Sequence, residues 1–302
     1  MSFPGLTGEA FFDSGEYMIK NRPVALIVIL LIYIFAAVCG YFAVTFFEST
    51  FPLWLTLLLA DIAATIVVFI FSLIFRNASV YDPYWSLQPP VILVLVLLKR
   101  SGEVAAVSSL MAWLLFGAVL FWALRLTANW LYNFKSFEYQ DWRYVMLREK
   151  TGRAYFFINL LGIHMFPTLV VYLCILPAVT AIHEEAVFHP TCLVFIVLSV
   201  VATILQGIAD IQMHKFRNSE RGGFIRTGLW KNARHPNYAC EILMWWGIGL
   251  ASVTALGGQL LLLSGALVNT FMFLFISIPM ADKRQSRKPG FAEYKKETRM
   301  LI

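Results

Sequence analysis

Twenty residues, Gly222 to Glu241 (GGFIRTGLWKNARHPNYACE), concentrate groups able to bind or polarise a ligand between two apolar runs of membrane length. Their core, Arg234-His235-Pro236-Asn237-Tyr238 followed by Glu241, is dense in hydrogen-bonding groups where a helix re-enters lipid. A glutamate there must be paired or hydrated, because a charge stranded in hydrocarbon costs roughly 3 kcal/mol on insertion scales. Asn237, Glu241 and Trp245 fall on one helical face. Two readings fit: a polar stripe that faces a ligand, or a helix start satisfied locally, with Pro236 or Asn237 in its first turn.

A second stripe lies upstream. Gln206 and Asp210 are spaced i, i+4, and Met213, His214 and Arg217 continue the same face. An acid and an amide at the end of an otherwise apolar helix are costly unless something binds them. They either hydrogen-bond to the Asn237/Glu241 stripe, or both stripes line a cavity. In a cavity, amide and carboxylate groups would take the hydroxyls and carboxamide of a nucleotide cofactor. Lys215, Arg217, Arg221, Arg226, Lys231 and Arg234 would then hold its phosphates, a task suited to the planar fork of arginine. The positive-inside rule predicts the same cations at a membrane edge, so charge does not separate the readings.

These side chains need helices to carry them. With 59% hydrophobic and 14% charged residues and a mean hydropathy of +0.71, the 302-residue chain has the composition of an integral membrane protein; a soluble one carries about 25% charged residues. Its opening is mixed and acidic and its first apolar run is too long for a signal core, so no cleaved signal is expected. Cys39, Cys174, Cys192 and Cys240 lie in apolar runs without metal or disulfide spacing, and no metal site is expected. The net charge of +6 is spread over loops beside apolar runs, which argues against a nucleic-acid partner.

Apolar runs at Val24–Phe47, Phe51–Phe75, Val104–Trp130, Tyr155–Ile182, Thr191–Gln212, Tyr238–Leu256 and Gln259–Met280 predict spans, and Pro89–Leu98 is a short eighth. The basic stretches 133–153, 213–237 and 281–302 fall on one side if Pro89–Leu98 crosses, leaving only Lys99 and Arg100 misplaced. The expectation is one all-α transmembrane bundle of seven to eight passes, with eight preferred, both termini cytoplasmic and a cytoplasmic cofactor cavity. No repeat or linker divides it.

The pattern Gly228-Leu229-Trp230, Ala233-Arg234-His235-Pro236-Asn237-Tyr238 and Glu241 resembles the C-terminal signature of the membrane-embedded steroid 5-alpha-reductase family, most closely its uncharacterised DUF1295-type branch. Gln206, Asp210 and Arg217 are similar to its cofactor helix. Pro279, Asp282, Arg284 and Arg287-Lys288-Pro289-Gly290-Phe291 with Tyr294 resemble its closing segment, and Arg125-Leu126 with Gln140-Asp141-Trp142-Arg143-Tyr144 resembles an internal motif. The likeness covers roughly residues 80–302. It implies a reductase that takes NADPH from the cytoplasmic side and saturates a double bond conjugated to a ketone in a lipid-soluble substrate. By position it implies that Gln206, Asp210, Arg217, Asn237, Tyr238 and Glu241 contact NADPH, with Arg234, His235 and Tyr294 as neighbours. The implied membrane is the endoplasmic reticulum in a eukaryote or the inner membrane in a bacterium.

Conjugate reduction also needs a donor that polarises the ketone as enolate charge develops. In steroid reductases that set resembles a Gln-Glu pair on an early helix and a tyrosine on the next. Here the region reads Tyr81-Asp82-Pro83-Tyr84-Trp85-Ser86, and the tyrosine position looks like Trp122. Asp82 serves if burial keeps it protonated, with Tyr81 or Tyr84 as phenol donor; equally, Asp82-Pro83 marks a turn at a helix start. Arg125 is the other catalytic candidate. Asp61 is either a substrate-side acid or a partner for a hydroxyl on another helix, and His164 reads as a packed histidine. Two other functions compete. Membrane methyltransferases of the isoprenylcysteine or phospholipid type share the Arg-His-Pro-x-Tyr-x-x-Glu core and use S-adenosylmethionine, but add a Glu-Glu pair after the last span, where this chain reads Met280-Ala281-Asp282-Lys283 without it. A non-catalytic sterol-binding protein is the third.

Overall fold

The computed structural model describes residues 9–11, 19–99, 106–219 and 222–301. The N-terminal residues 1–8 and 12–18, Arg100 and the phosphate candidate Arg221 lie outside them. The described residues are mostly helical: α1 Arg22–Phe47, α2 Leu53–Ile74, α3 Tyr84–Lys99, α4 Ala106–Asn133, α5 Trp142–Thr151, α6 Tyr155–Phe157, α7 Phe166–His183, α8 Pro190–Arg217, α9 Pro236–Ala255, α10 Ser264–Met272, α11 Ile278–Gln285 and α12 Phe291–Glu297. Among the described residues, strands are limited to the short pair Glu9–Phe11 (β1) and Tyr139–Asp141 (β2), antiparallel with Ala10 opposite Gln140.

Among the described residues, seven helical stretches are long and apolar enough to cross a membrane: α1, α2, Ser108–Asn133 of α4, the continuous run Trp142–His183, α8, α9 and the run Leu260–Gln285. This is an all-α polytopic membrane protein. The eighth expected span is shorter: α3 has 16 residues, about 24 Å at helical rise against about 30 Å of hydrocarbon. The Asn77 amide donates to the carbonyls of Phe137 and Tyr139, just past the C-terminal end of α4, at 2.9 and 3.0 Å.

Contacts group the chain into two compact units, residues 1–88 with 126–169 and residues 89–125 with 170–302. In the first, Asn21 caps α1 by accepting from the Val24 amide at 3.2 Å, and Pro23 takes an early helical position where an amide donor is not needed. Ala25, Ile29, Ile32, Ala36, Gly40 and Val44 form the buried stripe of α1, which packs against α2. Ile27, Leu30, Ile34 and Phe42 remain exposed on the other face. An apolar outer surface of that kind suits lipid, not water.

In the second unit α8 and α9 lie unusually close. A Cβ on Gly247 would stand 2.3 Å from the Ser199 hydroxyl and 2.7 Å from the Phe195 carbonyl, so only glycine permits the approach. The Ser199 hydroxyl donates to the Met244 carbonyl at 2.8 Å. The Gly228-Leu229-Trp230 motif clasps the end of α8. The Trp230 indole donates to the Ala209 carbonyl at 2.9 Å, and the Leu229 amide to Gln212 Oε1 at 2.9 Å. Gly228 holds a φ of +59° with Gln212 packed where a Cβ would be.

Candidate functional site

The two polar stripes face each other. Gln206 Nε2 donates to Glu241 Oε2 at 2.5 Å and to the Asn237 carbonyl at 3.3 Å. A third helix joins them: Arg125 of α4 donates to Asp210 Oδ2 at 3.0 Å, to Gln206 Oε1 at 3.0 Å and to Glu241 Oε2 at 3.5 Å. Trp122, one turn before Arg125, sends its indole N–H to both Glu241 oxygens at 3.0 Å, and the Trp245 indole reaches Oε1 at 3.1 Å. The two indoles meet edge to face, centroids 4.8 Å apart. The Glu241 carboxylate therefore takes donors from four side chains on three helices. Arg125, Asp210 and Glu241 side chains are only 13%, 14% and 8% exposed.

The network settles part of the earlier alternative. The helix–helix hydrogen bond between the stripes is present, and so is a set of convergent donors and acceptors around it. Arg125 Nε is buried with no hydrogen-bond partner, a donor left over in the centre of the group. Arg125, a catalytic candidate from the sequence, joins the α8 and α9 stripes. Trp122, expected to replace a donor tyrosine, is a donor to Glu241. Arg217 is exposed in the last turn of α8.

Arg234, His235 and Tyr294 form a different cluster, in which the C-terminal tail holds the start of α9. Arg234 donates to the Thr298 carbonyl at 2.6 Å and the Lys295 carbonyl at 3.2 Å, and meets Asp282 Oδ2 at 3.4 Å. His235 Nε2 lies 2.9 Å from Asp282 Oδ1. Burial lowers the His235 pKa against the opposing pull of Asp282. The ring stacks on Tyr238, which meets Phe273. Tyr294 stacks on Phe224 at 4.6 Å, and its hydroxyl donates to the Ile225 carbonyl at 3.4 Å. The Ala233–Arg299 bridge completes the latch. Of the residues expected at NADPH, Gln206, Asp210, Asn237 and Glu241 thus form one group, and Arg234, His235, Tyr238 and Tyr294 another.

The first unit holds the remaining candidates. Asp82 closes the turn Ala78–Tyr81 and accepts from the Tyr144 hydroxyl at 2.6 Å. Burial, then the charge of Asp141, raises its pKa to about 7. Tyr84 has another partner: its hydroxyl donates to Asp61 Oδ1 at 3.2 Å, and Gln88 bonds the other Asp61 oxygen. Asp61 is 4% exposed, and its role as partner to a hydroxyl on another helix is met by Tyr84. Tyr81 pairs with Thr168 at 2.8 Å and Thr168 with Thr65 at 3.2 Å. His164 packs against the Phe69 and Tyr81 rings with Nδ1 on the Asn159 carbonyl. Sequence reasoning missed Gln88, Thr65 and Thr168. Two i, i+4 pairs in apolar helices, Asp61/Thr65 and Tyr84/Gln88, carried the signal.

No curated protein and no solved structure matches this chain. Residues 68–298, most of the chain and all of the cofactor candidates, match the family described as "Protein of unknown function (DUF1295)", and the chain is a member of that family.

Proposed function

We propose that this protein is an NADPH-dependent reductase of a carbon–carbon double bond in a lipophilic, sterol-like or other enone. The observation that carries the reading is the convergence of Gln206, Asp210 and Glu241 with Arg125. Buried polar groups inside a membrane bundle are expensive and mark ligand or ion sites more often than packing. The residues fit the cofactor chemically. Carboxylate, carboxamide and indole groups around Glu241 match a carboxamide and ribose hydroxyls, and the unpartnered Arg125 Nε offers a donor. Exposed Arg217 and Lys215 at the end of α8 supply cations for phosphates.

When bound, NADPH supplies a hydride for the β carbon of the enone. The chain's part is to hold that face dry and to donate to the carbonyl oxygen as enolate charge grows. Tyr84 is taken as the donor over Asp82: its hydroxyl is held by Asp61, itself fixed by Gln88, and would turn its proton from Asp61 to the substrate oxygen, whereas Asp82 accepts from Tyr144. The proton given to the oxygen returns to the α carbon by tautomerisation, so hydride and proton together saturate the bond.

The Arg-His-Pro-x-Tyr-x-x-Glu core shared with the membrane methyltransferases supports a second reading, in which the start of α9, held by Asp282 through Arg234 and His235, takes S-adenosylmethionine. Thermal stabilisation of the detergent-solubilised protein decides between them. A ligand at 100 times its Kd adds about 2.7 kcal/mol. NADPH should raise the midpoint and S-adenosylmethionine should not, and Glu241→Gln should abolish the NADPH effect while the protein still folds. The reverse ligand preference would establish the methyltransferase reading.

A further inference from the structure

A cleft of about 450 Å³ opens in the second unit, between the start of α9, the end of the last span and the tail. It shares no residue with the Arg125–Glu241 network. Its lining combines apolar Leu274, Ile278 and Phe291 with the cations Lys283, Lys295 and Arg234. The one acid in the lining, Asp282, is already engaged by His235, Arg234 and Lys295. Three cations against one shared carboxylate leave a positive surplus. Arg234 is 8% exposed and its Nε has no partner, so a buried donor at the cleft lacks an acceptor. Leu274 and Ile278 belong to the Leu260–Gln285 run, where Phe275 is 71% exposed beside them. The apolar lining is therefore continuous with a surface suited to acyl chains.

We propose that this cleft binds an acidic phospholipid, the phosphate on Lys283, Lys295 and Arg234 and the upper acyl chain along Leu274 and Ile278. A zwitterionic lipid would place a cation against the surplus charge, and a soluble anion would leave the apolar lining uncovered. Basic pockets at the edge of a transmembrane bundle recognise lipid headgroups on these terms. The site is independent of the reductase reading.

Native mass spectrometry of the full-length protein with phosphatidylglycerol or phosphatidylcholine tests it. Wild type should retain phosphatidylglycerol preferentially, and Lys283→Ala with Lys295→Ala should weaken retention at least about tenfold. The charge-matched Arg287→Ala with Lys296→Ala, exposed and outside the cleft, should retain it. Unchanged retention in the first pair, or equal loss in the second, overturns the site. Competition by inorganic phosphate at equal concentration would make it a free-anion site. Displacement by NADPH would assign the cleft to the nucleotide. Either result overturns the lipid assignment whether or not the enzyme reads NADPH.

Discussion

Glu241 and Tyr84 show how a buried polar side chain is defined by its partners more than by its neighbours in sequence. Each is an ordinary residue in an apolar helix until another helix brings indole, guanidinium or carboxylate to it. Asp82 and Tyr84 are two positions apart, yet the structure gives Asp82 to Tyr144 and Tyr84 to Asp61. Under the proposed mechanism Tyr84→Phe should lower turnover about 10²- to 10³-fold with NADPH affinity unchanged, the cost of one positioned donor. Asp82→Asn should leave turnover near wild type. Steady-state kinetics on an enone substrate check both, and a large loss in Asp82→Asn alone would restore Asp82 as the donor. Asp82 carries a separate pH signature. Its pKa rises from 3.8 to about 7 in the folded protein, so folding favours its protonated form. That stabilisation is complete below the unfolded value and is lost as pH rises through about 7. The thermal midpoint of wild type relative to Asp82→Asn should therefore fall between about pH 5 and 8. Parallel profiles would mean that the carboxyl is ionised throughout.

At the scale of elements, the two stripes were readable because polar residues at i, i+4 stand out against lipid-facing helices. Their mutual contact was readable as one of two alternatives. The arrival of α4 was not: nothing in Trp122 or Arg125 says which neighbour will receive an indole and a guanidinium. The Arg234-His235 pair was visible as a motif, but its partners lie about 50 to 65 residues downstream in a tail whose local sequence carries no sign of them. Gly247 sets the spacing on which the network depends. Gly247→Ala should push α8 from α9 and cost about 1–3 kcal/mol, as overpacking does, with loss of the Gln206–Glu241 bond. Adding Ser199→Ala should restore little, because the Phe195 carbonyl still stands 2.7 Å from the new Cβ. Thermal midpoints of the single and double variants measure this; full rescue by Ser199→Ala would show the hydroxyl to be the sole obstacle.

For the whole molecule, composition was enough to give a polytopic all-α membrane protein, because a chain with 14% charged residues cannot cover a globule of this size with polar surface. The number of crossings was harder to read. Pro89-Pro90 interrupts the apolar pattern of α3, and a 16-residue helix falls below the usual length. If α3 crosses, both ends of the chain emerge on the same side. Single cysteines at Lys20 and Lys296, in a background without Cys39, Cys174, Cys192 and Cys240, should then react with an impermeant maleimide from one side of sealed vesicles. Labelling from opposite faces would establish seven passes.

The tail latch bears on how the protein is made. Carbonyls that receive Arg234 belong to residues 295 and 298, which lie 61 and 64 residues downstream. The opening turn of α9 therefore stays unfastened until those residues have been made, and the neighbourhood of Glu241 matures only after them. Nascent chains stalled before residue 295 should be inserted yet immature, open to quality-control proteases at the very segment that later becomes most enclosed.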